Sequence, residues 1–221
     1  MLISTQHKFI FIHVPKTAGS AIHTSLQPYS RLVNRTLLRS FLRRMPIIES
    51  VDKAHFRIHE RAAAVQSKLS ASVWNAYFSF GVVRNPFDHA VSHYEYLKQY
   101  RNNRIASYFS TVTFDEYLSY RISPKGKFDR VFLKLPAQNA FLCKNNRVIV
   151  DRVYKFENIS NLESDLCNRF PGLKINLPRV NVTRSKRDRA VNEYFQNRKT
   201  LDKFMHLYEK DFELFDYSTA I

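Results

Sequence analysis

The stretch from Phe9 to Leu26, FIFIHVPKTAGSAIHTSL, decides how this chain is read. It opens on alternating aromatic and β-branched residues, Phe9-Ile10-Phe11-Ile12, and residues 8–14 have the length and composition of a buried parallel strand. Residues 19–27 read as a short helix, and Pro15-Lys16-Thr17-Ala18-Gly19-Ser20 joins the two. Such a strand–loop–helix unit turns backbone N–H groups and the positive end of a helix toward an anion, and Lys16 adds a full charge. Thr17 and Ser20 add hydroxyl donors. The order GxxxxGK[ST] of nucleoside-triphosphate loops is absent, because Lys16 precedes the loop's glycine.

Working outward, a second unit of the same kind follows. Tyr77-Phe78-Ser79-Phe80-Gly81-Val82-Val83 reads as a strand stopped by Arg84-Asn85-Pro86, and Pro86 suits the first turn of a helix over roughly 87–100. Arg84 stands at the strand end and Ser92 lies two turns into the helix. A guanidinium fork with a hydroxyl is a sensible clamp for a phosphate monoester. Residues Arg147–Asp151 and Val153–Phe156 give one or two further strands. Asn158 is placed to cap a helix over 159–170, with Glu157 favourable beside its N-terminus. Val191, Tyr194, Phe195, Leu201, Phe204, Leu207 and Tyr208 make residues 188–215 helical by periodicity. Strands alternating with helices predict an α/β fold whose parallel sheet is covered on both faces. The expectation is a P-loop NTPase-like three-layer fold with a central parallel sheet flanked by helices. It is placed in one domain over 1–221, with residues 28–55 as a variable helical insertion.

Charge narrows the function. With 35 Lys and Arg against 19 Asp and Glu, the formal net charge is +16, which calls for an anionic partner: nucleic acid, an acidic polysaccharide, a nucleotide or a membrane surface. The 18 Phe and 12 Tyr, against only 4 Gly, belong to a packed chain and exclude disorder. Cys143 and Cys167 form no CxxC, so they predict neither a zinc knuckle nor a disulfide scaffold, but buried thiols in a reducing compartment. The apolar run Phe9–Ile12 has no basic region before it and no small-residue cleavage site after it, so it is not a signal peptide. Nothing approaches the ~20 apolar residues of a membrane span. A soluble, cytoplasmic protein is expected, so the glycosylation matches at Asn34, Asn158 and Asn181 are read as unmodified.

Taken together, the two loops resemble a known family. FIHVPKTAGS is similar to the 5′-phosphosulfate loop, and VVRNPFDHAVSHY to the 3′-phosphate motif, of sulfotransferases that use 3′-phosphoadenosine 5′-phosphosulfate (PAPS). The carbohydrate branch, Golgi-type and bacterial, resembles the chain most, which implies a bacterial cytoplasmic enzyme, or a Golgi lumenal one if the chain is trimmed. That branch's proline–glutamine segment is similar to Leu135-Pro136-Ala137-Gln138-Asn139, and its late strand to Asp151–Ile159. Its C-terminal helix is similar to Leu207–Tyr217. The resemblance implies in-line transfer of a sulfuryl group from PAPS to an acceptor hydroxyl, expected on a carbohydrate, leaving 3′-phosphoadenosine 5′-phosphate (PAP). It further implies donor contacts from Pro15, Lys16, Thr17, Ala18, Gly19, Ser20, Ala21, Arg84 and Ser92. Thr183, Arg184 and Lys186, in the basic segment Arg179–Lys186, are carried over as additional ones.

That reaction needs a base for the acceptor hydroxyl, donors for the sulfuryl oxygens and a cation for the departing phosphate. Lys16 is the expected cation. A sulfuryl group carries less charge than a phosphoryl group, so no metal is required, and no convincing acidic metal-binding set is evident. For the base, histidine is the default. The segment from His59-Glu60-Arg61-Ala62 to Leu69 resembles the one whose histidine deprotonates the acceptor, although Glu60 stands where the family usually has a small residue. His55, one turn earlier, is the alternative base or an acceptor contact. His55 and His59 also have i,i+4 metal-ligand spacing, but the order HExxH is absent. His13 reads as structural, and His93 as facing solvent. Arg31, Arg35, Arg39 and Arg43 recur every four residues, so on a helix they form a basic stripe, either a solvated face or a platform for an acidic glycan. Arg35, Arg39, His55 and Gln138 are the candidate acceptor contacts, and Lys125, Lys127, Arg130 and Lys134 a second basic cluster. The rivals are a P-loop-like nucleotide kinase and a basic nucleic-acid-binding protein. The first lacks the triphosphate-loop spacing and the second its familiar signatures, which makes a nucleic-acid partner unexpected. The sequence assigns no oligomeric state.

Overall fold

A computed structural model describes residues 1–31, 45, 47–100, 103–124, 136–177 and 190–221. In chain order the first elements are β1 (Leu2–Ser4), β2 (Phe9–Ile12), α1 (Gly19–Leu26), α2 (Ala62–Lys68), α3 (Ala71–Ala76) and β3 (Phe78–Val83). Then come α4 (Pro86–Lys98), α5 (Asn103–Thr111), α6 (Phe114–Ile122), α7 (Asn139–Leu142), β4 (Cys143–Lys144) and β5 (Arg147–Val148). The chain closes with β6 (Arg152–Lys155), α8 (Ile159–Arg169) and α9 (Arg198–Phe215). Contacts divide it into two units, Met1–Val83 with Gln138–Arg179, and Arg84–Ala137 with Val180–Ile221.

The first unit is built on a four-stranded sheet in the order β1-β2-β3-β6. Strands β2, β3 and β6 are parallel, with Phe11 opposite Phe80 and Gly81 opposite Val153. β1, however, runs antiparallel to β2, with Ile3 opposite Ile10, and β4 and β5 form a separate antiparallel hairpin. The expected P-loop NTPase-like fold with a wholly parallel central sheet is therefore corrected to an α/β fold with mixed pairing. The reason is local. Only the turn Thr5–Lys8 separates β1 from β2, and a parallel connection needs a crossover of a dozen or more residues. Ser4 Oγ accepts from His7 N at 3.1 Å, and Lys8 takes a left-handed φ of 51°, which close that turn. Asn145 and Asn146, at φ 51° and 58°, turn the second hairpin as asparagine commonly does.

Side chains hold the strands in register. The Asp151 carboxylate accepts from both Ser79 N and Ser79 Oγ at 2.7 Å, and Asp151 N donates back to Ser79 Oγ at 3.0 Å. That exchange interrupts the strand expected over 147–151 and starts β6 one residue later. On one side of the sheet Phe9, Phe11, Phe80, Val82 and Tyr154 pack with Ile22 and Leu26 of α1 and Leu162 and Leu166 of α8. The i,i+4 spacing of each helical pair makes the apolar stripe that this sheet face covers. Elsewhere in the unit a side chain at Gly81 is excluded by close approach: a Cβ there would lie 2.4 Å from Leu142 Cδ2. Asn158 occupies the expected cap position of α8, but its side chain makes no capping bond, and a 3-10 turn, Phe156–Asn158, precedes the helix. No disulfide joins Cys143 and Cys167.

In the second unit, helices pack around an aromatic core. Phe87, Phe109, Phe114, Phe195, Phe204, Tyr208 and Phe212 are buried together, with Phe87 stacked on Phe204 at 4.7 Å. Each helix start has a sequence cause. Pro86 opens α4 behind Asn85, whose side chain accepts from Phe87 N at 3.0 Å. Thr113 and Glu116 form a reciprocal capping box at the start of α6. Asn197 caps α9 by accepting from Lys199 N at 2.9 Å, which divides the helix expected over 188–215 into a 3-10 turn, Val191–Phe195, and α9.

A buried polar network crosses this core. Arg121 Nη1 donates to Tyr117 Oη at 3.1 Å and to Tyr208 Oη at 2.5 Å. His93 Nδ1 lies 2.7 Å from Tyr117 Oη, and His89 Nδ1 3.4 Å from Tyr208 Oη. His93, expected to face solvent, is thus 2% exposed and part of the core, because its position on α4 points at α6. Burial pushes the Tyr117 and Tyr208 phenols up, so both stay protonated beside the guanidinium. Arg121→Ala should leave both hydroxyls short of a charged partner and open a cavity, lowering stability by about 3 kcal/mol in urea unfolding. A loss below about 0.5 kcal/mol would show that the network contributes little.

Candidate active site

The loop after β2 is shaped by its own backbone. Thr17 Oγ1 donates to Val14 O at 3.0 Å within the interior, a bond that closes the loop. Lys16 and Ala18 both take left-handed φ, 66° and 58°, at a cost of about 1–2 kcal/mol each for a residue with a Cβ. Left-handed residues alternating with ordinary ones give a concave backbone of the kind that receives anions. Ala21 N and Ile22 N donate to Ala18 O at 3.0 and 3.2 Å, which starts α1. The amides ahead of them belong to the helix end that has no intrahelical acceptors. Pro15 and Gly19 are buried, Lys16, Ala18 and Ala21 half-buried, and Ser20 is exposed.

Three histidines meet beside this loop. His13, 5% exposed, lies just past the last paired residue of β2 and stacks on Phe11 at 5.7 Å. Its ring stands edge-to-face with His59 at 4.4 Å and is 6.3 Å from His23 of α1. A Cβ on Gly19 would lie 2.0 Å from both His13 Nε2 and Cδ2, so the loop's glycine is required by the imidazole resting on it. His59 Nδ1 is 3.1 Å from His13 O. A carbonyl oxygen only accepts, so Nδ1 carries the hydrogen and the lone pair of the neutral ring is on Nε2.

His59 is exposed, in a turn shaped by Arg57 N donating to the Glu60 carboxylate at 3.1 Å and by the Met1 amino group donating to Ile58 O. Helix α2 begins only at Ala62, so His55 and His59 are not one helical turn apart, which corrects the helical reading of their spacing. His55 is 7% exposed. Burial, with His59, the Met1 amino group and His23 as neighbours, lowers the His13 pKa to about 2. Burial likewise lowers His23 and His59, the hydrogen bond to the His13 carbonyl opposing this for His59. All three are neutral imidazoles near pH 7.

An imidazole that must stay neutral in the folded chain but can charge in the unfolded chain makes stability fall with acid. For His13 the loss begins as pH drops below the unfolded value near 6.5 and continues toward the folded value of about 2. The slope is about 1.4 kcal/mol per pH unit, so roughly 2 kcal/mol should be lost between pH 6.5 and 5. Urea unfolding over that range checks it, and His13→Phe should flatten the slope.

In the second unit, Arg84 follows β3 directly and is 4% exposed. Its Nη2 lies 3.5 Å from Asp88 Oδ1, an i,i+4 pair on the first turn of α4, and Ser92 is buried further along the same helix. Gln138, at the head of α7 in the first unit, is fully buried. Arg35, Arg39, Thr183, Arg184 and Lys186 lie outside the described residues, as do Lys125, Lys127, Arg130 and Lys134. Among the described residues no group of three or more His, Cys, Asp or Glu side chains is arranged to hold a metal ion, and no helix is long and apolar enough to cross a membrane. The sequence reading did not single out His23 or Asp88. Asp88 had a visible signal, four residues beyond Arg84 on a helix, whereas His23 is brought to His13 only by the tertiary fold.

The profile of the sulfotransferase family matches residues 1–218. Neither the curated proteins nor the solved structures gave a significant match. The family match takes in the loop after β2, the start of α4 and the C-terminal helix, the same segments that the motifs single out. The chain therefore belongs to the sulfotransferase family, enzymes that transfer a sulfuryl group from PAPS to an acceptor hydroxyl.

Proposed function

We propose that this sulfotransferase acts on a carbohydrate hydroxyl, with His59 as general base and Lys16 as the cation at the leaving phosphate. The observation that carries the reading is the placement of His59: it stands at the surface with Nδ1 3.1 Å from the His13 carbonyl, which leaves Nε2 as the basic nitrogen. A base must reach the proton it takes, and buried His55 is less suited to that than His59. PAPS, when bound, supplies the sulfuryl group. His59 Nε2 takes the acceptor proton as the acceptor oxygen–sulfur bond forms and the bond from sulfur to the bridging oxygen breaks. Lys16 meets the negative charge left on the phosphate. The backbone N–H groups of Lys16–Ser20 suit the 5′-phosphosulfate, with Pro15 and Ala21 flanking them, and Arg84 with Ser92 suits the 3′-phosphate. Thr183, Arg184 and Lys186 add charge and hydroxyls for the same donor. The recurrence of Arg35 and Arg39 in the sequence of a chain of net charge +16 favours an acidic glycan.

The test is transfer of ³⁵S from labelled PAPS to a panel of acidic polysaccharides, neutral oligosaccharides, phenols and sterols. Incorporation into the glycans, strongest for the acidic ones and falling with salt, is expected. Incorporation into phenols or sterols alone would overturn the carbohydrate reading.

A further inference from the structure

One buried residue beside the loop is not explained by packing. His13 is buried where an apolar ring would pack as well, yet its Nδ1 has no hydrogen-bond partner among the described residues. A buried polar atom left unsatisfied costs stability. Its two other contacts point to different parts of the site. One ring edge rests on Gly19 so closely that a Cβ would lie 2.0 Å away, and the backbone carbonyl and ring hold His59 at 3.1 Å and 4.4 Å respectively. The carbonyl is available because the ladder between β2 and β3 ends at Ile12 and Gly81.

We propose that His13 is a positioning residue that couples the anion loop to the base: its carbonyl holds His59 as the Nδ1–H tautomer, and its ring ties that imidazole to Gly19 at the head of α1. This rests on the reading of His59 as the base. A shift of the loop around an anion moves the Gly19 backbone against the His13 ring, which stands edge-to-face with His59 at 4.4 Å. The charged and titratable groups that face the pair are His23 from α1, the Met1 amino group ahead of β1, and Glu60 in the turn that carries His59. All of these belong to the same unit as the loop.

The test reads the tautomer and titration of His59 directly, in the full chain labelled with ¹⁵N-histidine, by long-range ¹H–¹⁵N spectra between pH 4 and 9. His59→Asn identifies the His59 signals. In the wild type, Nδ1 should carry the proton and the midpoint should lie below the ordinary 6.5. Gly19→Ala, a change confined to the loop, should displace the His13 ring. It should lower the Nδ1–H population of His59 and shift its midpoint by about half a pH unit or more as the bond to the His13 carbonyl is disturbed. His13→Ala should do the same and decides the matter if Gly19→Ala does not fold. Saturating PAP, with binding verified by calorimetry, should move the His59 signals in the wild type but much less in His13→Ala. Wild-type tautomer and midpoint in either folded variant, or a His59 signal indifferent to bound PAP, would overturn the proposal. Full sulfuryl transfer by His59→Asn, with the spectra behaving as expected, would instead remove the base assignment and leave the tie between loop and imidazole standing.

Discussion

Replacing Lys16 with alanine is expected to lower turnover by about 100- to 1000-fold, the loss typical of removing one preorganised charge from a developing anion. The effect should divide between binding and chemistry. PAP, which carries the phosphate but no departing sulfuryl group, should bind about tenfold more weakly, while the remainder appears only in turnover. The backbone explains why the side chain cannot simply be exchanged for a neighbour's. Lys16 is held at φ 66° in a loop closed by Thr17 on Val14, so its side chain departs from a constrained, left-handed backbone that a neighbouring lysine would not share. Steady-state kinetics with PAPS, beside calorimetry with PAP, measure the two parts. A variant that binds PAP as the wild type does and turns over at more than a tenth of its rate would show that Lys16 is only a surface charge.

The second large effect belongs to His59. His59→Asn keeps a side-chain N–H able to reach the His13 carbonyl but has no basic nitrogen, and it should reduce turnover by about 100- to 10,000-fold. PAP affinity should stay within about twofold, because the change lies outside the anion loop. The wild-type rate should fall at acid pH, following an imidazole whose pKa is held below its ordinary value by burial. In His59→Asn that acid limb should disappear from the residual rate. If His55→Asn, and not His59→Asn, removes the acid limb, the base is the buried histidine.

Much of this was written in local sequence. Phe9–Ile12 and Phe78–Val83 are short, apolar and bounded by turn residues, so both central strands are visible before any fold is known. Pro86 behind Asn85 marks the start of α4, and Thr113 with Glu116 marks α6 through its capping box. What escaped was either very short or tertiary. β1 has three residues, too few to show a period, and its antiparallel pairing depends on a four-residue turn. The polar residues Asn145 and Asn146 divide what the apolar pattern alone joins. His93 follows Ser92 in the sequence and looks solvated, yet the helix turns it onto Tyr117, a partner 24 positions away.

The site divides in the same way. Lys16 lies in the loop after β2, Gly19 opens α1 and Arg84 follows β3, where the strand–loop–helix pattern alone marks them. The meeting of His13, His23 and His59 requires residue 59 to fold back on residue 13, which no local pattern reveals. The helical spacing of His55 and His59 suggested a shared face that does not form, since the chain there is a turn and not a helix. Gly19 was legible as a loop glycine, but its reason was not: it admits the His13 ring.

The central claim is that the loop from Pro15 to Ala21 holds the phosphosulfate end of PAPS. Isothermal titration calorimetry of the wild type with PAP, beside ATP and beside Lys16→Ala, tests it most directly. PAP should bind clearly, ATP should give little heat, and PAP affinity should be about tenfold weaker in Lys16→Ala. Equal affinity for PAP and ATP, or PAP binding untouched by the substitution, would contradict it.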